Sequence, residues 1–135
     1  AEFHTDLYME RKLLNLKADQ KVLVIERIRF ANDQPVALER TCWPERIGKI
    51  LIRHDLDGAK FYQILEENGV YLKNANENIS ALNATLYEAD LLGISAGEPL
   101  LQMKRLSYGM DGQPIEYTRT KYRSDLYQYK IELHR

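Results

Sequence analysis

The chain has 135 residues, which corresponds to one domain of ordinary size. It carries 19 basic and 20 acidic side chains, so its formal net charge of −1 argues against direct binding to nucleic acid or to a membrane surface. With 44% hydrophobic and 29% charged residues, the composition is that of a globular domain with a buried core. No apolar run approaches the length of a membrane-spanning helix and no export signal is visible, so a soluble protein is expected.

The cysteine and histidine content predicts neither a disulfide nor a metal site. Cys42 is the single cysteine, and a lone thiol is typical of a reducing compartment, so we expect a cytoplasmic protein. The neighbours of Cys42 are typical of a strand, so we expect this cysteine to be a small buried residue of the core and not a nucleophile. His4, His54 and His134 are far apart and have no partners at ligand spacing, so no metal or other cofactor is predicted.

The chain contains an internal duplication. Residues 13–33 (LLNLKADQKVLVIERIRFAND) align with residues 91–111 (LLGISAGEPLLQMKRLSYGMD) at a constant shift of 78. After one extra residue, QPVALERT at 34–41 aligns with QPIEYTRT at 113–120, and ten of the 29 aligned positions are identical. We interpret the match as two copies of one unit; chance similarity between two β-hairpins is the alternative.

Each copy is predicted to contain a short helix followed by a β-hairpin. The helices are expected at residues 7–16 and 87–94. Between the copies, Asp57 is predicted to cap a helix over residues 58–68 that ends at Gly69. An extended stretch at 70–84 follows, and a last strand is expected at 126–134. These elements predict an α+β fold with an antiparallel sheet of about six strands and packed helices.

The two copies differ in what precedes them. A strand-like ISALNA comes before the second helix, whereas only AEFHTD comes before the first. We therefore expect that a leading strand is missing and that the chain is part of a longer protein.

The first hairpin places two arginines on one side of a strand. A three-residue turn at 32–34 sets Arg29 opposite Ala37 and Arg27 opposite Glu39. Two guanidinium groups about 7 Å apart, facing one carboxylate, suit a phosphate or a carboxylate ligand. The alternative is a solvated sheet face held by salt bridges.

The second hairpin repeats this arrangement. With Gly109 opposite Pro114, Glu116 and Tyr122 lie on one face. If the repeat relates the hairpins, these residues face the arginines and the carboxylate of the first hairpin across one cleft. Such a cleft suits a small polyhydroxylated or amine-bearing phosphate better than a nucleotide, because the chain has no glycine-rich loop. Tyr62, in the central helix, is a further candidate.

Several segments together resemble a known family. They are ERIRF…QPVALERTCWP, FYQILEENGV, ISALNAT and the long block from LLGISAGEP to YKIEL. Over residues 13–133 the chain resembles the ligand-sensing UTRA domain of GntR-type bacterial transcription regulators, HutC branch. The resemblance implies a chorismate-lyase-like fold, an effector pocket and a homodimer. It also implies an upstream winged helix-turn-helix domain that binds operator DNA and lies outside these 135 residues.

The resemblance also assigns roles to individual residues. In family members that sense amino-sugar phosphates, it implies that Arg27 and Arg29 hold the phosphate. The sugar-contacting carboxylates correspond to Glu39 and Glu116, and a pocket tyrosine corresponds to Tyr122. The sequence departs from the family at the central helix, where a Ser-x-Tyr pattern is replaced by Lys60, Phe61 and Tyr62. Lys60 at a helix N-terminus is expected to strengthen phosphate binding, although it can also extend into water.

The expected function is therefore that of an effector-binding domain without catalytic residues. It would sense a small anionic metabolite, first of all a sugar phosphate or amino-sugar phosphate. One alternative is an enzyme of the same fold, a lyase or sugar-phosphate isomerase with Glu39 and Glu116 as acid and base. Another is a dimerisation module whose charged hairpin faces are solvated.

Overall fold

The computed structural model describes residues 1–128 and 130–134. The strands and helices follow in the order β1 (Glu2–His4), α1 (Tyr8–Leu13), β2 (Val22–Ala31), β3 (Gln34–Pro44), α2 (Glu45–Leu51), α3 (Phe61–Glu67), β4 (Leu72–Asn83), α4 (Leu86–Leu92), β5 (Pro99–Gly109) and β6 (Pro114–Arg123). Of these helices, none is long and apolar enough to cross a membrane.

The strands form one antiparallel sheet in the order β1-β2-β3-β6-β5-β4, so the predicted α+β class is confirmed. Helices α2 and α3 cover one face, where Trp43, Phe61 and Leu65 belong to the largest buried cluster. Helices α1 and α4 cover the opposite face in two smaller clusters, one around Leu14 and one around Leu92. Because side chains alternate along each strand, every second residue faces α2 and α3. We call this side of the sheet the α3 face.

The sheet is built from two equivalent halves. Each half consists of a strand, a helix and a hairpin: β1, α1, β2 and β3 in one, and β4, α4, β5 and β6 in the other. Glu2–His4 pairs with β2 as residues 80–82, which lie 78 positions later, pair with β5. The prediction that the first copy lacks its leading strand is therefore wrong, because AEFHTD itself contains a short strand.

The first hairpin has the predicted register but a different turn. Arg27 lies opposite Glu39 and Arg29 opposite Ala37. Ala31 pairs with Gln34, so the loop has two residues, and both have positive φ, as a tight hairpin turn requires. The register is preserved because the pairing shifts between Arg29 and the next residue, which takes up one residue of β3 as a bulge. The second hairpin likewise pairs Ser107 with Glu116, but Pro114 lies opposite Tyr108 instead of Gly109.

Three other predicted elements need correction. The central helix begins at Phe61, and its N-cap is Lys60 instead of Asp57, because Gly58 has a φ of +71° that no helix can contain. The predicted first helix, residues 7–16, spans only Tyr8–Leu13. Within the predicted last strand, residues 126–128 and 130–134 are not in a strand, and residue 129 lies outside the described residues.

Helix α2 was not anticipated from the sequence. It follows β3 directly and places Ile47 and Leu51 against the sheet. Its Gly48 packs so closely on β2 that a Cβ atom there would lie 2.7 Å from Cβ of Leu23. Glycine at this position therefore allows the helix to lie directly on the strand.

Candidate functional site

Two arginines and a carboxylate of the first hairpin form a connected cluster on the α3 face. Arg27 donates from Nε and Nη2 to Oε1 of Glu39, at 2.9 and 2.7 Å. Arg29 donates from Nη1 to Oε2 of the same carboxylate at 3.0 Å. The side chains of Arg27 and Glu39 are only 15% and 12% exposed, whereas that of Arg29 is 56% exposed. The pair Arg27–Glu39 is thus a half-buried ion pair and not a solvated one.

Arg27 also fixes the loop before α3. Its Nη1 donates to the backbone carbonyls of Leu56 and Ala59 at 3.3 and 2.9 Å. Four of its five N–H groups are engaged by these contacts and the carboxylate, since a guanidinium offers five donors. Its guanidinium carbon lies 4.1 Å from the centre of the Phe61 ring. Arg27 therefore stabilises the loop before α3, whereas Arg29 has more N–H groups left to donate to a ligand.

An open cavity of about 650 Å³ lies beside this cluster. It is lined by Arg27, Arg29 and Lys60, together with Asp57 and the short loop that Arg27 holds. Three cationic side chains thus border one cavity of a size that suits a small metabolite. The cavity brings together the three residues for which a phosphate-binding role is predicted.

A second cluster surrounds Glu116, which is only 1% exposed. Arg105 donates to both of its oxygens, from Nε to Oε1 at 3.3 Å and from Nη2 to Oε2 at 3.0 Å. Ser107 donates to Oε1 at 2.8 Å, Thr118 donates to Oε2, and the Tyr62 hydroxyl donates to Oε1. Glu116 is therefore a fully bonded, buried carboxylate.

The electrostatics of this second cluster keep Glu116 ionised. Burial on its own raises the pKa of Glu116, but the hydrogen bonds and charge of Arg105 outweigh it and hold that pKa below its usual value. Burial raises the pKa of the Tyr62 hydroxyl, and the adjacent carboxylate raises it further. Tyr62 is therefore a hydrogen-bond donor at neutral pH and Glu116 an acceptor.

The two clusters lie on one face but on different strands. β3 and β6 are neighbours at the centre of the sheet, and Glu39 pairs there with Thr120. Tyr122 pairs with Ala37 on the same face, and its ring stacks on Tyr127 with centroids 3.9 Å apart. Burial raises the pKa of Tyr122, and both Tyr127 and Glu39 add to the rise. Tyr122 thus shares the α3 face with both clusters, while Glu39 and Glu116 are held by different arginines.

Two contributors are not among the predicted site residues, although the predicted register already puts one of them, Arg105, on the face of Glu116. Arg105 follows Arg27 by 78 residues, so it occupies the equivalent position in the second copy. Its guanidinium lies 5.6 Å from the centre of the Tyr62 ring, as that of Arg27 lies on Phe61. The repeat carried a signal for this residue. No comparable signal marked Tyr127, because its contact depends on how the chain turns after β6.

A second cavity, of about 490 Å³, lies on the opposite face beside α4. It is lined by Arg40, Arg119 and Lys121, together with apolar residues of β2 and β3 and with Glu88. Glu88 accepts a hydrogen bond from Lys121, and Arg40 lies 3.4 Å from Glu10. Much of the charge on this face is therefore paired within the fold. Arg27 and Glu39 also border this cavity, although strand alternation directs both side chains to the α3 face.

Comparison with known proteins places this chain in a family. The model of the UTRA domain matches residues 9–128. The transcriptional repressor NagR of Bacillus subtilis is 31% identical over 105 residues, which cover 78% of this chain and 43% of the repressor. The mannosyl-D-glycerate transport/metabolism system repressor MngR of Escherichia coli is 26% identical over 87% of this chain and 49% of its own length. The effector domain of PhnF from Mycobacterium smegmatis superposes with a TM-score of 0.91 at 25% identity, covering 99% of this chain and 83% of that one.

The chain belongs to the UTRA domain family. Its fold is the chorismate-lyase-like fold of the effector domains of GntR-family transcription regulators, as the resemblance implied. The chain spans about half the length of the curated relatives it matches. Those relatives are regulators of transcription, so the class of protein is a regulator's effector-binding domain.

Proposed function

We propose that this domain binds a small phosphorylated metabolite, of the sugar-phosphate class, on the α3 face and thereby controls a DNA-binding domain in the same regulator. The observation that carries the proposal is the cavity bordered by Arg27, Arg29 and Lys60. Arg29 uses one donor on Glu39 and keeps its other N–H groups for an anion, and guanidinium forks match phosphate oxygens. The name of MngR adds that one related regulator controls the transport and metabolism of mannosyl-D-glycerate.

Control of transcription requires that the ligand favours one arrangement of the regulator over another. We propose that two copies of the chain form the functional dimer and that operator DNA is contacted by a winged helix-turn-helix domain outside these residues. Because the ligand binds one arrangement of the dimer more tightly than the other, its binding then changes the affinity of the regulator for operator DNA.

An enzymatic function has less support from the geometry. A general acid near neutral pH needs a raised carboxyl pKa, whereas the pKa of Glu116 is lowered and both of its oxygens are bonded. A dimerisation module with solvated charges also has less support, because Arg27, Glu39 and Glu116 are half-buried or buried.

Titration calorimetry with inorganic phosphate, glucose 6-phosphate and glucosamine 6-phosphate tests the proposal. We expect at least one ester to bind, and Arg29→Gln to weaken binding about tenfold or more, because one charge-assisted contact to phosphate is lost. The melting temperature should change little, since this side chain is exposed. Arg27→Gln should lower both the affinity and the melting temperature, because it also releases the loop before α3.

Arg119→Gln, on the opposite face, is the matched control and should bind the esters like the unmodified protein. If no phosphate compound binds, or if Arg29→Gln binds as well as the unmodified protein, the proposed function is wrong.

A further inference from the structure

We propose that the cavity beside α4, on the face opposite to the α3 face, is a second binding site, and that it takes a small organic monoanion with a hydrocarbon body. A carboxylate with a chain of several carbons is a ligand of this class. Arg119 holds the anionic group, and apolar residues beside α4 hold the hydrocarbon. The inference goes beyond the proposed function and does not depend on it.

The cavity lies on a floor of three neighbouring strands and against one helix. Its volume is about 490 Å³, and α4 forms a wall through residues between Thr85 and Leu91. Strand alternation directs six of its lining side chains to this face of the sheet. They are Glu26 and Ile28 of β2, Leu38 and Arg40 of β3, and Arg119 and Lys121 of β6.

Arg119 differs from the other two cations of this floor. Lys121 donates a hydrogen bond to Glu88, and Arg40 lies 3.4 Å from Glu10. The side chain of Arg119 is half-buried, and it forms neither a salt bridge nor a hydrogen bond with any residue that the structure describes. A guanidinium offers five N–H donors, so Arg119 keeps all of them for a ligand.

The neighbours of Arg119 across the sheet are also cations. Arg119 lies directly opposite Arg40 on β3 and directly opposite Lys104 on β5. Like charges in directly opposed positions destabilise a sheet. This row of three cations therefore opposes folding on its own, and an anion bound at its centre would relieve the repulsion.

The charges around the cavity leave one positive charge in excess. Arg27 and Glu39 neutralise each other, and the side chain of Glu26 is 65% exposed and screened by water. The remaining cations are Arg40, Lys104, Arg119 and Lys121, and the acids are Glu10, Glu26 and Glu88. An excess of one charge suits a monoanion, and the planar guanidinium matches a carboxylate.

Apolar side chains lie next to this cation. Ile28, Leu38 and Leu91 line the cavity together with Tyr87. Ile28 is 37% exposed and Tyr87 is 67% exposed, so both have apolar surface left to cover. Because β3 lies between β2 and β6, Ile28 is two strand spacings, or about 10 Å, from Arg119. A hydrocarbon chain that runs from Arg119 toward β2 therefore removes apolar surface from water.

An NMR titration of this chain with octanoate tests the proposal. We expect saturable shifts of amide signals in α4 and around Arg119, and an affinity that rises about twofold or more per methylene from butanoate to octanoate. Octylammonium, which has the same chain and the opposite charge, should bind at least about tenfold more weakly. Equal binding of the two ions, no dependence on chain length, or no saturable shift up to about 10 mM octanoate would overturn the proposal.

Arg119→Gln tests the role of this residue. We expect octanoate to bind about tenfold more weakly, because a charge-assisted contact is lost. The melting temperature should not fall, since the variant also removes the repulsion from Arg40 and Lys104. Lys104→Gln, which removes an equal charge outside the cavity, is the matched control and should weaken octanoate by less than about threefold. Unchanged octanoate binding by Arg119→Gln would contradict the proposal.

Two further measurements make the outcome independent of other parts of the structure. If Arg119→Gln does not fold, Tyr87→Ala decides, because Tyr87 is exposed; it should weaken octanoate more than butanoate, and an equal effect on both would contradict the apolar wall. Octanoate binding requires no phosphate ester, so it can succeed where the proposed function fails. Displacement of octanoate by glucose 6-phosphate would show that the two ligands share one site and would overturn the inference of a second one.

Discussion

Glu116 is a charged side chain in a position where most proteins place an apolar one. It is 1% exposed, and every contact described above comes from a donor on the α3 face. An ion this deeply buried is tolerated only where charge and hydrogen bonds compensate for lost hydration. The compensation depends on the ionised form, so it is tied to pH.

We expect Glu116→Gln to lower the free energy of unfolding by about 2 kcal/mol at pH 7, because it removes the nearest counter-ion of Arg105. The folded-state pKa of Glu116 lies below its unfolded value of about 4.3, so the stabilisation is fully present above that pH. It is lost as the pH falls through the folded pKa, and the difference between the two proteins should therefore narrow below about pH 4.

Urea unfolding followed by the fluorescence of the buried Trp43 measures this difference at each pH. Glu66→Gln, an exposed change on α3, is the control and should alter stability little at any pH. A difference that stays constant from neutral to acid pH would show that the charge of Glu116 is not what stabilises the fold.

Alternation along a strand was enough to predict which residues share the α3 face. It places Arg27 opposite Glu39 correctly although the sequence predicts a three-residue turn, because one bulge compensates for the shorter loop. What alternation does not reveal is which charges pair with each other. Glu116 was expected to face a ligand, but the long side chain of Arg105 reaches it diagonally on the neighbouring strand.

At the scale of whole elements, helices were harder to predict than strands. Helix α4 has sequence signals for both of its ends: a capping box between Thr85 and Glu88 at the start, and Gly93 in the left-handed conformation after its last residue. Helix α3 has no side-chain cap, and its start is set by the loop that Arg27 holds. Helix α2 has seven residues and no side-chain cap, so its position depends on packing that the local sequence does not encode.

Gly48 provides a test of that packing. An alanine there has a better helix propensity by about 1 kcal/mol, but its Cβ would lie 2.7 Å from Leu23 and 3.1 Å from the Phe3 ring. We expect Gly48→Ala to destabilise the protein by about 1–3 kcal/mol, since α2 must move away from β2. Thermal unfolding measures the effect, with Lys49→Ala at an exposed position of the same helix as control. A stabilised Gly48→Ala protein would show that the close approach is not required.

The whole molecule is a duplicated sheet with β3 and β6 at its centre. The resemblance between residues 13–41 and 91–120 predicted the repeated hairpins, and the equivalent buried acids Glu10 and Glu88 show that it extends into the helices. The duplication did not predict the order of the strands, because sequence identity says nothing about which edges of the two halves meet.

The topology predicts a gradient of hydrogen exchange. Amides of β3 and β6 are bonded on both sides and should exchange slowest. β4 is a twelve-residue edge strand whose residues are nearly all exposed, so about half of its amides should exchange fast. Exchange measured by NMR on the isolated chain checks this. Slow exchange at the outward amides of β4 would mean that another strand covers this edge in solution.

The pairing of β1 with β2 has a mechanical consequence. The first residues of the chain, Glu2–His4, are bonded to one end of β2, and the other end carries Arg27 and Arg29. A displacement of Arg27 and Arg29 along β2 would therefore reach the amino end directly through this strand pairing. Because Phe3 packs against the cluster that contains Leu23 and Ile25, the same displacement would also disturb the core beneath α2.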